Sequence, residues 1–263
     1  MLEWFKKWFN TQEYLDLYKH RDTTDAKKIV TLILKNIRLK KNSKVLDLAC
    51  GNGRHSVLFA KKGFNVLGID LSPFLINQAK SKLKADYKKH KNNLRFEIRD
   101  MRDIHHNKEF DLVVNLFTSF GYFEKNSENV RVVRSISKSL KKGGYFFFDF
   151  LNAAYLKRNI VPFDIKKARP GRSRIGNQNI IIQVREIKAG FVKKNIIILK
   201  NSENSKYPQI YNFYEKIKLY SVNDFRKIFK FSGLKIKKVF GDYYGSRYNS
   251  LKSERLIILA QKK

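Results

Sequence analysis

The sequence predicts an α/β fold, a mainly parallel sheet flanked by helices with an antiparallel insert, and three observations carry that reading. Residues 45 to 72, VLDLACGNGRHSVLFAKKGFNVLGIDLS, spell a strand, a glycine turn, a helix and a second strand ending in an acid, which is half of a nucleotide-binding domain. Strand and helix patterns keep alternating up to residue 152 and return from residue 221 onward. Between them, residues 175 to 186, 190 to 199 and 210 to 219 alternate polar and apolar side chains without intervening helices.

Taken in order, Trp4, Phe5, Trp8 and Phe9 form one face of a short leading helix. That face suits packing on the domain, a lid over a bound ligand, or an interfacial anchor. Thr11 to Lys19 is a second helix, and Ala26 to Ile37, with Thr24 and Asp25 as N-cap oxygens, is a third with Ile29, Val30, Ile33, Leu34 and Ile37 on one side. Val45 to Leu48 is the first strand, Ser56 to Lys62 a helix, and Asn65 to Ile69 the second strand, ended by Asp70. Ser72 caps the next helix and Pro73 opens it. The helix runs to a basic loop near His90, and Leu94 to Ile98 is the third strand, ending in Arg99-Asp100-Met101. Phe110 to Leu116 is the fourth strand and leads into FTSFGYF. Glu128 to Leu140 reads as a helix stopped by a glycine C-cap at Lys142-Gly143-Gly144, and Tyr145 to Phe150 as the fifth strand. After the insert, with a loop from Arg169 to Arg174 and a turn at Ala189-Gly190, come a helix, Ser221 to Phe231, and two strands, Leu234 to Phe240 and Arg255 to Gln261. The chain thus divides into a helical N-terminal segment or lid (1–42), a core (43–160), an insert (161–220) and a return to the core (221–263).

The turn carries the chemistry. A backbone that passes close to a ligand has no room for side chains, so Gly51 and Gly53 fit a phosphate or nucleoside site at the start of a helix. Asp70, about 20 residues on, stands where a carboxylate accepts hydrogen bonds from both ribose hydroxyls. A third glycine place is taken by Ser56, and an acid, Asp47, precedes the turn. A carboxylate there suits a ligand with a positive group better than a pyrophosphate. S-adenosylmethionine has one in its α-ammonium, as well as a sulfonium.

The segment resembles the first two motifs of class I S-adenosylmethionine-dependent methyltransferases. Asp47, Gly51 and Gly53 match the D-x-x-x-G-x-G signature, Ala49 stands where many members have a first glycine, and Asp70 with Leu71 falls at the ribose-binding place. By the same resemblance Asp100 meets the adenine amino group and Met101 packs near the ring, while LKKGG stands for the common L-K-P-G-G. The resemblance covers roughly residues 24 to 152 and 221 to 263, and the chain as a whole looks like a bacterial subgroup of small-molecule type. It implies a Rossmann-like seven-stranded sheet of order 3-2-1-4-5-7-6, with the insert after strand five roofing the acceptor pocket or forming a dimer surface.

The carboxyl end of strand four lies beside the topological switch point, so Asn115, Thr118 and Ser119 are candidates to face the methionine part of the cofactor or the acceptor. Methyl transfer is an in-line displacement that needs positioning at about 3 to 3.5 Å and a base only where the nucleophile carries a proton. No catalytic residue is assigned, and Tyr18, His55 and Tyr122 are the candidates. Tyr14, Arg21 and Tyr243 join Tyr18, Thr118, Ser119 and Tyr122 as acceptor-pocket candidates, whereas His105 and His106 read as surface. Phe120, Tyr122 and Phe123 wall the pocket or anchor their loop.

Absences narrow the acceptor. The N/D-P-P-Y/F motif of nucleobase amino-methylation is replaced by Asn-Leu-Phe-Thr at residues 115 to 118, and the single cysteine, Cys50, sits inside the turn, so cytosine C5 chemistry and a disulfide framework are excluded. No metal site is expected. A small-molecule acceptor is therefore preferred. RNA is the alternative, because 56 basic against 23 acidic residues give a charge of +33. Yet the basic residues are mostly lysine spread over nearly every segment, which a solvated surface or an AT-rich coding sequence also produces. A nicotinamide-dependent oxidoreductase shares the βαβ half but needs a proton donor and nicotinamide pocket that the sequence does not offer, and a non-catalytic nucleic-acid-binding module does not require acids at 47, 70 and 100 together. With 263 residues, 43% of them hydrophobic, the chain can fill one α/β core. It has no apolar run long enough to span a membrane and no signal-peptide pattern, so a cytoplasmic monomer or homodimer is expected.

Overall fold

A computed structural model describes residues 3–19, 23–168, 179–201 and 207–263. Arg21, the expected loop Arg169 to Arg174 and the first residues of the strand expected from 175 lie outside them. The large sheet has seven strands, β1 (Lys44–Leu48), β2 (Asn65–Asp70), β3 (Leu94–Ile98), β4 (Phe110–Asn115), β5 (Leu140–Leu151), β10 (Leu234–Phe240) and β11 (Arg255–Lys262). Their order is β10-β11-β5-β4-β1-β2-β3, with the first five strands of the chain parallel and β11 antiparallel to both neighbours. This is the expected 3-2-1-4-5-7-6 arrangement. Strands buried on both faces read as unbroken apolar runs, and Phe146, Phe147, Phe148 and Phe150 of β5 are all buried.

Helices cover both faces. One face holds α3 (Thr23–Asn36), α4 (Arg54–Lys61) and α5 (Pro73–Ala85), and the other α6 (Asn126–Ser139) and α8 (Val222–Phe231). Local chemistry sets their starts. Ser72 accepts the Leu75 N–H at 3.1 Å ahead of Pro73, and Ser221 and Asp224 form a reciprocal capping box. The rings of Phe225 and Phe229 meet Phe148 and Phe146 at 4.8 and 5.4 Å, which anchors α8 on the sheet.

Three elements depart from the sequence reading. Helix α6 ends at Ser139, not at the glycines, because the N–H groups of Lys108 and Glu109 bond the carbonyls of Lys138 and Ser139 and so satisfy the helix end directly. The strand already starts at Leu140, and Lys141 to Gly144 form an irregularity across which the register jumps from Phe110–Leu140 to Leu112–Tyr145, with Gly143 at φ +78°. A short helix, α7 (Ala153–Asn159), and a strand, β6 (Phe163–Ala168), follow where no element was expected.

The second sheet is antiparallel, in the order β6-β7-β8-β9, with β7 at Asn179–Lys188, β8 at Phe191–Lys200 and β9 at Gln209–Lys218. Its inner face carries Ile181, Ile196, Ile198 and Phe213, which pack against Trp8 and Leu17 of the N-terminal helices α1 (Trp4–Trp8) and α2 (Gln12–Leu17). This packing brings the N-terminal helices and the second sheet to the carboxyl ends of the parallel strands.

Candidate active site

A cavity of about 1030 Å³ lies between those strand ends, the two N-terminal helices and the inner face of the second sheet. Its floor is the turn after β1. Asp47, next to last in that strand, is fully buried, its Oδ2 accepts the Ser56 hydroxyl at 2.6 Å, and burial pushes its pKa up to about 7. Ala49 and Gly51 both sit at φ +57°, so alanine holds a left-handed conformation that glycine adopts without strain. The two glycines serve different ends. A Cβ on Gly51 would meet nothing within 4 Å, whereas one on Gly53 would strike the Phe96 ring at 2.6 Å. Gly51 thus leaves open space at the floor, while Gly53 permits close packing and does not line the cavity.

Asp70 ends β2 and accepts the N–H of Gly51 at 2.8 Å on one oxygen and that of Ser72 at 2.9 Å on the other. Burial raises its pKa despite these bonds. Leu71 and Met101 add apolar wall. Asp100 also lines the cavity, but both its oxygens are engaged by Arg102, with Nη2 at 2.6 Å and the backbone N–H at 2.8 Å. Burial works against its charge, yet these hydrogen bonds hold its carboxyl below the ordinary range. Arg102 reaches on to Glu3 and Glu128 at 3.0 and 2.9 Å and so ties the start of the chain to α6.

The wall after β4 is strained. Phe117 and Thr118 stand at φ +56° and +64°, an uncommon state for any residue and more so for a β-branched one. Asp149, fully buried, accepts the Phe117 N–H and the Tyr243 hydroxyl at 2.9 Å each, and its own carbonyl takes the Thr118 N–H at 3.0 Å. Arg255 donates to Asp149 at 2.9 Å and to the Thr118 hydroxyl at 2.8 Å. Neither Asp149 nor Arg255 was singled out from the sequence. Asp149 lies near the end of β5, in the run DFLN, and nothing local marks Arg255. Asn115 and Tyr243 do not line the cavity. Asn115 braces the wall by donating to the carbonyls of Leu48 and Ser119 at 3.1 and 3.0 Å, and Tyr243 braces Asp149.

His55 lines the cavity with its ring stacked on Phe117 at 5.2 Å, and burial lowers its pKa to about 3, which leaves it neutral and weakly basic. Tyr122 donates to the Thr118 carbonyl at 3.0 Å, and burial raises its pKa. His105 is exposed as expected, but His106 is half-buried with its ring 5.0 Å from that of Phe110.

The lid is closed. The Asn10 side-chain oxygen accepts from the Ser72 hydroxyl and the Phe74 N–H at 3.0 Å each, and Trp4, Phe5 and Phe9 pack on Tyr122 at 5.2 to 5.9 Å between ring centres. Tyr14 lines the cavity beside Phe9, 4.9 Å away. At the roof, Glu215 of β9 accepts the Trp8 indole N–H at 2.7 Å and the Tyr18 hydroxyl at 2.8 Å, and pairs with Lys194 of β8 at 2.6 Å. The Lys194 ammonium also donates to the Tyr18 oxygen. Glu215, Lys194 and Arg185 form one cross-strand row on the inner face of the insert, and all three line the cavity. Their alternation gave the strands away but not which side chains would meet the lid.

Comparison with known proteins agrees with this frame. Residues 39–161 match the family described as a methyltransferase domain. The cypemycin N-terminal methyltransferase of a Streptomyces species is 26% identical over 216 residues, 82% of each chain. The dTDP-3-amino-3,4,6-trideoxy-alpha-D-glucopyranose N,N-dimethyltransferase of Streptomyces venezuelae is 33% identical over 107 residues, 41% of this chain and 42% of that one. A solved S-adenosylmethionine-dependent methyltransferase from Clostridium acetobutylicum ATCC 824 superposes with a TM-score of 0.76 at 21% identity, covering 95% of this chain and 96% of that one. The fold is that of class I methyltransferases, and the matched segment is a methyltransferase domain. The second sheet and N-terminal helices are added around it. No helix among the described residues is long and apolar enough to cross a membrane.

Proposed function

We propose that this chain transfers a methyl group from S-adenosylmethionine to a small-molecule acceptor enclosed under the lid. The observation that carries the reading is Asp47, a buried carboxyl at the cavity floor whose charge is held back by burial until a cation arrives. The α-ammonium of the cofactor supplies that cation. Beside it Gly51 leaves space for a ligand, and Asp70, with one backbone N–H on each oxygen, keeps lone pairs for two ribose hydroxyls. Asp100 has less to offer adenine, since Arg102 occupies both its oxygens. When bound, the cofactor supplies a methyl group already activated on a sulfonium, so the chain's part is to align the acceptor and exclude water.

At the other end, Tyr18, Lys194 and Glu215 hold the polar part of the acceptor, and Tyr14, Tyr122 and the lid rings enclose its apolar part. A cavity roofed by the N-terminal helices and the second sheet suits a small molecule, and one relative is by name an N,N-dimethyltransferase of a dTDP-linked amino sugar. RNA is the second reading, favoured by the charge of +33, and it requires the lid to open. Calorimetry with S-adenosylmethionine, S-adenosylhomocysteine and NAD tests the proposal. Binding of both sulfur compounds and not of NAD is expected, and failure of both to bind overturns it.

A further inference from the structure

Arg102, two residues beyond the acid that follows β3, joins three carboxylates from three parts of the chain. Its Nε lies 3.1 Å from each Asp100 oxygen and its Nη2 2.6 Å from one of them, while Nη1 meets Glu3 at 3.0 Å and Glu128 of α6 at 2.9 Å. The guanidinium also sits 4.4 Å from the centre of the Phe123 ring, against which Phe5 of α1 packs at 5.6 Å. The chain has 23 acidic residues against 56 basic ones, so three acids on one side chain are not a product of its composition. A planar fork with five N–H groups serves all three at once, which a lysine ammonium does not.

The groups that Arg102 holds belong to one end of the cavity. Asp100 lines it beside Leu71 and Met101, and Glu3 leads directly into α1, whose Trp4 and Phe5 are also in its wall. Arg102 itself does not line the cavity, so it acts through the groups it holds. Three donors meet Asp100, namely the Arg102 backbone N–H, Nε and Nη2, and a carboxylate has about four acceptor sites. About one site is left, and the other bonds fix its direction. A carboxylate held in this way accepts from an amino group and repels a carbonyl oxygen.

We propose that Arg102 is a positioning residue for adenine, aiming the remaining Asp100 site at the exocyclic amino group while it clasps α1 over the same end of the cavity. The inference rests on the reading of the cavity as an S-adenosylmethionine site. A purely structural ion pair would support every ligand alike, whereas one that aims Asp100 also decides which base is preferred.

Calorimetry with S-adenosylhomocysteine and S-inosylhomocysteine, in which a carbonyl oxygen replaces the amino group, separates the two. Wild type is expected to prefer the adenine compound about 100-fold, because the inosine compound loses a charged hydrogen bond and gains a repulsion. In R102M the preference should fall below about fivefold and the affinity for S-adenosylhomocysteine about tenfold. E3Q should keep the preference but release S-adenosylhomocysteine about tenfold faster by surface plasmon resonance, since only the clasp is loosened. A preference in R102M equal to that of wild type overturns the aiming role, and an unchanged release rate in E3Q overturns the clasp. Wild type that binds both compounds alike overturns the inference and leaves the cofactor reading standing, whereas wild type that binds neither overturns both. R102K, which keeps the charge but not the fork, should lose the preference as well and serves if R102M does not fold.

Discussion

At the floor of the cavity Asp47, Gly51 and Asp70 come from one stretch, residues 47 to 70, and meet through strand ends, a turn and backbone N–H groups. At the roof Glu215 gathers Trp8 and Tyr18 across 207 and 197 residues of chain, and its partner Lys194 comes from the neighbouring strand. The floor is therefore as rigid as the parallel sheet that carries it. The roof exists only while the lid and the insert are docked. The same cavity joins a part that binds by local geometry to a part whose shape depends on tertiary docking, which lets one cofactor site be fitted with a different acceptor end.

Variants at the two ends should separate these roles. The largest effect is expected for Asp70→Ala, which removes the acceptor of two backbone N–H groups and of the ribose: S-adenosylmethionine affinity falls about 100-fold, or about 2.8 kcal/mol, by calorimetry. Loss below threefold would break the floor side of the comparison. Glu215→Gln leaves a buried ammonium without its carboxylate and costs about 2 kcal/mol in urea unfolding, while S-adenosylhomocysteine affinity stays within about threefold. If the two changes move together, floor and roof are not independent.

Asp47 adds a pH test. Its folded pKa of about 7 lies above the ordinary 3.8, so its contribution to stability is full below the lower value and is lost as pH rises through the higher one. Binding of a cationic partner needs the charged form. Affinity for S-adenosylmethionine should therefore rise about tenfold per unit up to pH 7 and then level. Asp47→Asn should flatten that profile, lower affinity about tenfold at pH 8, and raise the melting temperature of the free protein by a few degrees there, a gain that fades toward pH 4. A pH-independent affinity in the wild type would remove Asp47 from the ammonium role. The smallest change is Tyr122→Phe, which loses one hydrogen bond to a backbone carbonyl and should cost about 1 kcal/mol in stability.

Most of the floor was legible in the sequence because its information is local. Apolar runs give the parallel strands, left-handed positions call for glycine, and acids at strand ends lie within about 20 residues of the groups they bond. Even the helix starts at Ser72 and Ser221 are written in adjacent residues. The end of α6 was misread for the converse reason: its carbonyls are satisfied by Lys108 and Glu109, about 30 residues upstream, so the glycines beyond it are free to shape a bulge instead. Strand β6 and helix α7 are short and carry no strong period.

The pairs that shape the rest of the cavity have no local signature at all. Arg255 reaches Asp149 only because β11 lies antiparallel on β5 in the register that sets Arg255 against Leu151. Glu215 meets Trp8 and Tyr18 only because the N-terminal helices fold under the insert. A charged side chain in a strand pattern reads as solvent-facing until a distant partner makes its burial affordable. Composition and period specify which elements form, and the long-range packing of those elements decides which polar groups are desolvated together at the acceptor end.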